Sequence, residues 1–158
     1  MGKKTGPNPT DRAKKGTKRS LLTDGYGIPL GLAIDGTNRN DFRMAFETIE
    51  SIPVKRPRPT ARRQQAMCLD KGYDYDEVRD LLIAFVFTAH IRARGEEAQA
   101  IKKEAGFRAR RWVVERGHSW MNRFRRILVR WEKRADTYLA MLHLACGVIT
   151  YRAAGLLG

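Results

Sequence analysis

The sequence predicts an α/β protein whose small mixed sheet is flanked by helices. Three observations lead to this prediction: alternating apolar residues near residue 30, short apolar runs that end in turn residues, and long helical patterns in the carboxyl-terminal third. The chain has 158 residues, of which 42% are hydrophobic. That length and composition suit a single domain that buries a real core.

The first strands are predicted to form a β-hairpin. In "IPLGLAI" the large apolar residues alternate with small residues or proline, which is typical of a strand with one apolar face. The preceding "SLLTDGYG" contributes a short apolar run and an Asp-Gly turn, so the two runs are expected to pair. Residues 1–19 are basic and rich in Gly, Pro and Thr. They are expected to form a flexible arm before a domain that covers residues 20–158.

The middle of the chain alternates between helical and strand patterns. A helix is predicted over residues 40–52, and "AMCL" predicts a short buried strand that ends at Asp70. Asp74 can cap a further helix that reaches Leu82. The apolar run over residues 84–91 then predicts another strand.

Two helices complete the predicted fold. From Arg108 to Arg134 one apolar stripe recurs at helical spacing, and it comprises Val113, Gly117, Trp120, Phe124, Ile127 and Trp131. Gly117 costs about 1 kcal/mol relative to Ala inside a helix, so it is expected to permit close packing against the sheet. Residues 135–154 form the last apolar helix, whose apolar stretch is too short to span a bilayer.

The charge of the chain points to a polyanionic partner. Lys and Arg number 31 against 17 Asp and Glu, which gives a formal net charge of +14. Such an excess repels itself in a compact monomer, and nucleic acid would relieve that repulsion. The basic residues lie among Trp, Gly and turn residues rather than on one amphipathic helix, which argues against a membrane surface. No signal peptide is visible, so a cytoplasmic location is expected.

Several common kinds of site are not predicted. Cys68 and Cys146 have no C-x-x-C pairing and are expected to be ordinary buried thiols. His90, His118 and His143 lack ligand spacing and are interpreted as packing or surface residues. Phosphate-binding glycine loops and a nucleophilic serine elbow are also missing from the sequence.

Asp70 is the first acidic residue that could carry chemistry. It follows a predicted strand, and in open α/β sheets sites gather at the carboxyl ends of strands. Gly72 follows two residues later, so Asp70 can also be a turn residue, and position alone favours that interpretation.

Glu115 is the second candidate. It lies about 200° around the helix from Val113 and shares a face with Arg108, Arg111 and Asn122. Spacing alone favours a surface ion pair with Arg111, worth less than about 1 kcal/mol. However, metal-dependent phosphodiester chemistry needs an acidic centre inside a basic surround, which this face also offers.

Three motifs together resemble a known family. "GPNPTDRAKKGTKRSLLTDGYGIPLGLAIDGTNRND", "CLDKGYD" and "RRWVVERGHSWMNRFRRILVRWE" occur in the order found in bacterial insertion-sequence transposases of the DDE type, in the insertion-sequence-five group. The resemblance covers nearly the whole chain. It implies an RNase H-like fold, a mixed sheet flanked by helices, and a role in DNA transposition.

The resemblance assigns roles to individual residues. "CLDKGYD" resembles the block with the second catalytic aspartate, which implies that Asp70 is a catalytic metal ligand. The glutamate block reads Tyr, two residues, Arg, three residues, Glu, six residues, Lys. In this chain Glu115 occupies the glutamate position of the block and Arg111 occupies the arginine position. Arg108 stands where the block has tyrosine, and Asn122 stands where it has lysine.

The implied chemistry is phosphodiester hydrolysis at transposon ends, followed by strand transfer to target DNA. The complete site would hold two Mg²⁺ (or Mn²⁺) ions. Residues expected to contact DNA are Lys71, Arg111, Asn122, Arg123, Arg125 and Arg126. The implied partners are double-stranded DNA, both terminal repeats and target, and by analogy a second copy of the chain in a homodimer.

The first catalytic aspartate of the family has no counterpart here. In the family it ends a strand before the GPNPTDR-like segment, and only five residues precede that segment in this chain. Asp11, Asp24 and Asp35 are the first acidic residues available, and Asp35 is the best geometric substitute, although it does not align. The resemblance therefore implies a partial domain without the first strand. The aspartate is expected from an upstream segment joined by frameshifting, unless decay removed it, and the isolated chain is expected to be inactive or nearly so.

Three other interpretations remain open from sequence. One is a non-catalytic DNA-binding fragment, which the charge supports equally well. Another is a different RNase H-like nuclease, such as a resolvase or an integrase, although the specific motifs argue against it. The third is a decayed transposase remnant.

Overall fold

The structure of the chain is a computed structural model that describes residues 3–91 and 112–156. It divides into two compact units. The first unit combines residues 1–53 with residues 113–158, and the second covers residues 54–112. Each unit has its own sheet, so the expected single mixed sheet is wrong for the described residues: one sheet is antiparallel and the other parallel.

The first unit contains the predicted hairpin. Strand β1 (Gly6–Pro7), β2 (Lys15–Thr23) and β3 (Pro29–Gly36) form an antiparallel sheet in that order. Leu21 lies opposite Leu32 in the β2–β3 ladder. Strand β2 runs straight through residue 19, where the flexible arm was expected to end. The basic segment therefore contributes strands to the sheet instead of forming a separate arm.

Strand β3 is buried on both faces, because helices cover each side of it. A 3₁₀ turn (Asp41–Met44) and helix α1 (Ala45–Glu50) lie against one face. A Cβ on Gly31 would come within 2.4 Å of the Thr48 carbonyl oxygen, so only glycine permits this approach. The prediction of one apolar face was therefore wrong, and Leu30 is exposed.

The other face of the sheet packs against carboxyl-terminal helices α3 (Trp112–Asn122), α4 (Arg125–Leu128) and α5 (Ala135–Ala153). Their shared core is apolar, and each buried large side chain contributes about 1.5–3 kcal/mol; its members are Leu21, Leu32, Ile34, Met121, Ile127, Tyr138, Leu142, Ala145 and Ile149. The prediction for the last helix is confirmed.

The preceding helix is shorter than predicted. It ends at Asn122, and Phe124 takes an extended conformation before the single turn of α4. Trp131, expected on the buried stripe, is 73% exposed. The break turns the chain so that the Ile127 carbonyl accepts a hydrogen bond from the Tyr138 hydroxyl, at 3.0 Å. Among the described residues no helix has the length and apolar character needed to cross a bilayer.

The second unit is a small βαβ arrangement. Strand β4 (Ala66–Leu69) pairs in parallel with β5 (Thr88–Ile91), and helix α2 (Asp76–Ala84) connects them. The predicted strand before Asp70 is therefore confirmed. Its burial is not: Met67 is buried, but Cys68 is exposed, so the expectation of a buried Cys68 thiol was wrong.

Candidate functional site

Asp70 follows the last residue of β4 and does act as a turn residue. Its carbonyl oxygen accepts the Tyr73 amide at 3.1 Å, and its Oδ1 accepts the Gly72 amide at 2.8 Å. The side chain is exposed. Because only Oδ1 is used in the turn, the carboxylate can still offer Oδ2 to another group, and the turn fixes its direction.

Three of the predicted residues lie partly or wholly outside the described part of the chain. Lys71 lies in the short 3₁₀ turn Lys71–Tyr73 after Asp70, but its side chain is outside the described atoms. Arg111 and Arg108 fall in residues 92–111, outside the described part of the chain.

Glu115 lies exposed in the first turn of α3. The position of this helix is set by Gly117, because an added Cβ there would come within 3.0 Å of the side chains of Leu21 and Thr23. The same Cβ would lie 3.1 Å from the Gly27 carbonyl oxygen. The predicted close packing at Gly117 is thus confirmed, and it holds Glu115 at a fixed place above β2.

Asn122 ends α3 and is bound to the sheet. Its side-chain oxygen accepts a hydrogen bond from Nη2 of Arg19 at 2.9 Å. The other terminal nitrogen of Arg19 is buried without a hydrogen-bond acceptor among the described residues. Burial, together with this guanidinium, lowers the pKa of His118 below its usual value. Burial likewise raises the pKa of the Cys146 thiol to about 11, which fits the expected inert thiol.

The three predicted DNA-contacting arginines after α3 differ in their surroundings. Arg123 and Arg125 are exposed, and no described carboxylate forms an ion pair with either. Arg126 Nη2 lies 2.6 Å from Oε1 of Glu132, whose side chain is only 6% exposed. Neither Glu132 oxygen forms a hydrogen bond of good geometry with the described residues, so the contact is an ion pair by distance alone.

The alternative first aspartates are all engaged in local structure. Oδ1 of Asp35 accepts a hydrogen bond from the backbone amide of Gly36, and Oδ2 lies 3.5 Å from Nε of Arg39. Asp24 Oδ1 accepts two amides of the hairpin turn. Asp11 pairs with the nearby Lys14 at 3.5 Å.

The two candidate ligands belong to different units. Asp70 lies in the second unit and Glu115 in the first, so neither unit contains both. Within residues 3–91 and 112–156, no three His, Cys, Asp or Glu side chains form a cluster that could hold a metal ion.

Comparison with known proteins identifies the family. The family model described as "Transposase DDE domain" matches residues 2–149. The chain belongs to the DDE transposase family. It is also 39% identical over 155 residues to "Putative transposase for insertion sequence element IS402" of Burkholderia cepacia, covering 94% of this chain and 69% of that protein. No solved structure matches the chain.

The family assignment confirms the resemblance seen in the three motifs. The matched range of the DDE transposase domain includes both Asp70 and Glu115. It supports DNA transposition as the process and DNA as the partner, whereas the role of each residue remains a proposal.

Sequence analysis assigned no DNA-binding role to one basic feature of this transposase domain. Residues 53–65 form a loop before β4 that contains five Lys or Arg residues and no acidic residue. Its signal was available as "PVKRPRPTARRQQ", but no motif of the resemblance drew attention to it.

Proposed function

We propose that this chain supplies the second aspartate, Asp70, and the glutamate, Glu115, of a metal-dependent DDE site that cuts transposon ends and joins them to target DNA. The observation that carries the proposal is that one transposase-domain match runs through both carboxylates. Each of them is also exposed at a structurally fixed position, after β4 and on α3.

The donor atoms suit Mg²⁺ or Mn²⁺ in kind but fall short in number. Carboxylate oxygens are the ligands that such hard cations prefer. Asp70 and Glu115 would hold the ions. When bound, such ions stabilise charge on the phosphate oxygens and lower the pKa of the attacking water. Two carboxylates do not complete that site, and Asp11, Asp24 and Asp35 are each engaged in a turn or a local ion pair.

The third carboxylate is proposed to come from an additional strand of an RNase H-like sheet, in an upstream segment. Residues 18–23 of β2 pair with β3 along one edge, and no described strand pairs with their other edge. A sheet edge with unpaired backbone groups is a template for a further strand. The relative from Burkholderia cepacia also contains sequence beyond the matched region.

Basic residues close in sequence to Asp70 and Glu115 are proposed to hold the DNA backbone. Arg123 and Arg125 are exposed and suited to phosphates. Lys71, Arg111 and Arg126 are proposed to do the same, and Arg126 would have to exchange Glu132 for a phosphate. Asn122 is proposed to approach DNA while its side-chain oxygen stays bound to Arg19. Transposition brings two DNA ends together, which is the reason for proposing a homodimer.

The test is cleavage of terminal-repeat DNA by a protein in which the upstream segment is joined to this chain. Asp70→Asn and Glu115→Gln keep the shape of each side chain and remove its charge. Each is expected to lower Mg²⁺-dependent cleavage by at least about 100-fold, because a metal-ligating carboxylate supplies several kcal/mol of transition-state stabilisation. DNA affinity is expected to stay unchanged or to rise slightly.

Exposed carboxylates outside the proposed site provide matched controls. Asp76, six positions after Asp70, is exposed in the first turn of α2, and Asp76→Asn removes its charge. Glu50→Gln removes the charge of an exposed glutamate. Both are expected to cleave like the unmodified protein. Full cleavage by the Asp70→Asn or Glu115→Gln protein would favour the non-catalytic DNA-binding alternative. Robust Mg²⁺-dependent nicking by the isolated chain would contradict the proposal that its site is incomplete.

A further inference from the structure

The loop over residues 53–65, called the basic loop below, is an ordered structure with a concentrated charge. It carries Lys55, Arg56, Arg58, Arg62 and Arg63, and no Asp or Glu occurs between Glu50 and Asp70. Like charges on one short segment repel each other, so ordering such a segment costs free energy unless specific contacts offset the repulsion.

Arg56 supplies those contacts at the base of the basic loop. Its Nε and Nη2 both donate to Oε1 of Gln65, at 3.1 and 2.7 Å, and Nη2 also donates to the Phe85 carbonyl oxygen at 2.9 Å. The guanidinium lies 3.7 Å from the centre of the Phe87 ring. Charge-assisted bonds and a stacked ring make this a strong anchor, so Arg56 is used for structure.

Further contacts close the basic loop above that anchor. The Gln65 side-chain amide donates to the Pro57 carbonyl oxygen at 2.9 Å, which ties one arm of the loop to the other. Thr60 and Arg63 exchange two backbone hydrogen bonds, at 3.2 and 3.0 Å, around the tip. Three prolines restrict the remaining backbone. The loop is therefore preorganised before any ligand binds.

The four other cations of the basic loop have a different character. Lys55, Arg58, Arg62 and Arg63 are exposed, and none of them pairs with a carboxylate among the described residues. Four exposed cations on a stiff loop concentrate positive charge on a short segment. A DNA duplex presents the complementary pattern, with one negative charge per roughly 1.7 Å of its axis.

We propose that the basic loop binds the phosphate backbone of duplex DNA through Lys55, Arg58, Arg62 and Arg63, as a contact separate from the residues around Glu115. This inference rests on the proposed function, because it takes DNA as the partner. The loop precedes the amino end of β4, and Asp70 follows its carboxyl end. Four strand residues span about 13 Å, close to the roughly 12 Å width of the DNA major groove. The loop would thus hold backbone that flanks the phosphate at Asp70.

The experiment measures binding of the full chain to a fluorescein-labelled duplex of arbitrary sequence by fluorescence anisotropy, across a series of KCl concentrations. The test variant is Arg58→Gln/Arg62→Gln. Each lost phosphate contact lowers the slope of log K against log salt by about 0.9, so this variant is expected to lose about 1.8. At about 0.1 M KCl that corresponds to a loss of affinity of up to about 60-fold. Arg58→Lys/Arg62→Lys keeps the charges and is expected to keep most of the slope.

The matched control is Lys133→Gln/Arg152→Gln, which removes two exposed cations of the first unit. Its slope is expected to match that of the unmodified chain. Among the residues that the structure describes, the four loop side chains make no ion pair and no side-chain hydrogen bond, so thermal unfolding should be unchanged in the test variant.

Three outcomes overturn the inference, and they separate its failure from failure of the proposed function. If the loop variant matches the control while the unmodified chain binds DNA, only the inference fails. If the unmodified chain shows no salt-dependent binding, DNA is the wrong partner for this chain and the inference fails with it. If the loop variant keeps its DNA affinity but loses binding to polyglutamate, the loop recognises an acidic protein. Loss of cleavage in Asp70→Asn tests the proposed function independently.

Discussion

Two glycines of the first unit lie inside helices but have opposite surroundings. At Gly117, an added Cβ would meet Leu21 Cδ2 and Thr23 Cγ2 at 3.0 Å and the Gly27 carbonyl oxygen at 3.1 Å. At Gly147, in α5, an added Cβ would meet nothing within 4 Å. Alanine at these two positions therefore gives the same gain in helix propensity and a different cost in packing.

The magnitudes follow from those two terms. Replacing glycine by alanine inside a helix stabilises it by about 0.8–1.0 kcal/mol. Gly147→Ala is expected to gain that full amount. Overpacking typically costs about 1–3 kcal/mol, and the Gly27 carbonyl cannot easily move because its residue has a φ of 91° in a hydrogen-bonded turn. Gly117→Ala is therefore expected to destabilise by about 1 kcal/mol net.

The assay is urea unfolding of each variant against the unmodified chain, with equal m-values required before free energies are compared. The difference between the two variants, about 2 kcal/mol, isolates the close approach of α3 to β2. If Gly117→Ala stabilised the chain as much as Gly147→Ala does, the helix would not lie that close to β2. The contact at Gly117 would then not be what positions Glu115.

Two further predictions concern the partly buried Arg19 and Arg56 and the groups beside them. Burial and Arg19 lower the pKa of His118, so the unfolded chain takes up a proton at this residue first as the pH falls below about 6.5. The free energy of unfolding should therefore decrease as the pH falls below that point, until the pH reaches the pKa of His118 in the folded chain. His118→Gln should flatten this part of the curve of stability against pH. Identical curves for the variant and the unmodified chain would contradict the prediction. Arg56→Lys keeps the charge but loses the shared bonds to Gln65 and Phe85, so hydrogen exchange at the Arg63 amide should quicken at least tenfold; unchanged exchange would show that the anchor is unimportant.

Local sequence patterns were enough to predict those helices and strands whose pattern lies within the element itself. The Asp-Gly turn between two apolar runs predicted the hairpin, and continuous apolar periodicity predicted the last helix, over nearly its observed length. The strand before Asp70 was also predicted correctly. In each case the residues that form the element also carry its signal.

Features that depend on distant contacts could not be predicted in this way. The apolar stripe from Val113 to Trp131 predicted one helix, yet the helix ends at Asn122. The chain turns after that residue, and the turn allows the Ile127 carbonyl to accept a hydrogen bond from the Tyr138 hydroxyl. Leu30 follows the strand alternation and is nevertheless exposed, because burial depends on which helices cover the sheet. Periodicity reports which face of an element is apolar, and it does not report where that element stops or what covers it.

The candidate site shows the same division. Sequence position left Asp70 between a turn residue and a ligand, and the geometry shows the turn, in which Oδ1 accepts the Gly72 amide. This hydrogen bond does not involve Oδ2, so the turn is compatible with the proposed ligand role. The contact between Arg19 and Asn122 spans 103 positions, so no spacing rule could indicate it. The basic loop was visible as composition, but its order depends on Phe85 and Phe87, about thirty positions later.

The packing at Gly117 is also expected to affect DNA cleavage, because Glu115 is only two positions away in α3. The expected loss of about 1 kcal/mol leaves most of the chain folded, but a shift of α3 by a few tenths of an ångström would move Glu115, the proposed metal ligand. A misplacement of about 1 Å can cost roughly 100-fold in rate. In the protein with its upstream segment joined, Gly117→Ala is therefore expected to lower cleavage well beyond its effect on folding, with DNA affinity unchanged. Gly147→Ala, in α5, should cleave normally, because an added Cβ there meets nothing within 4 Å. If both variants cleaved alike, Glu115 would not depend on this contact, and its assignment as a ligand would lose its structural support.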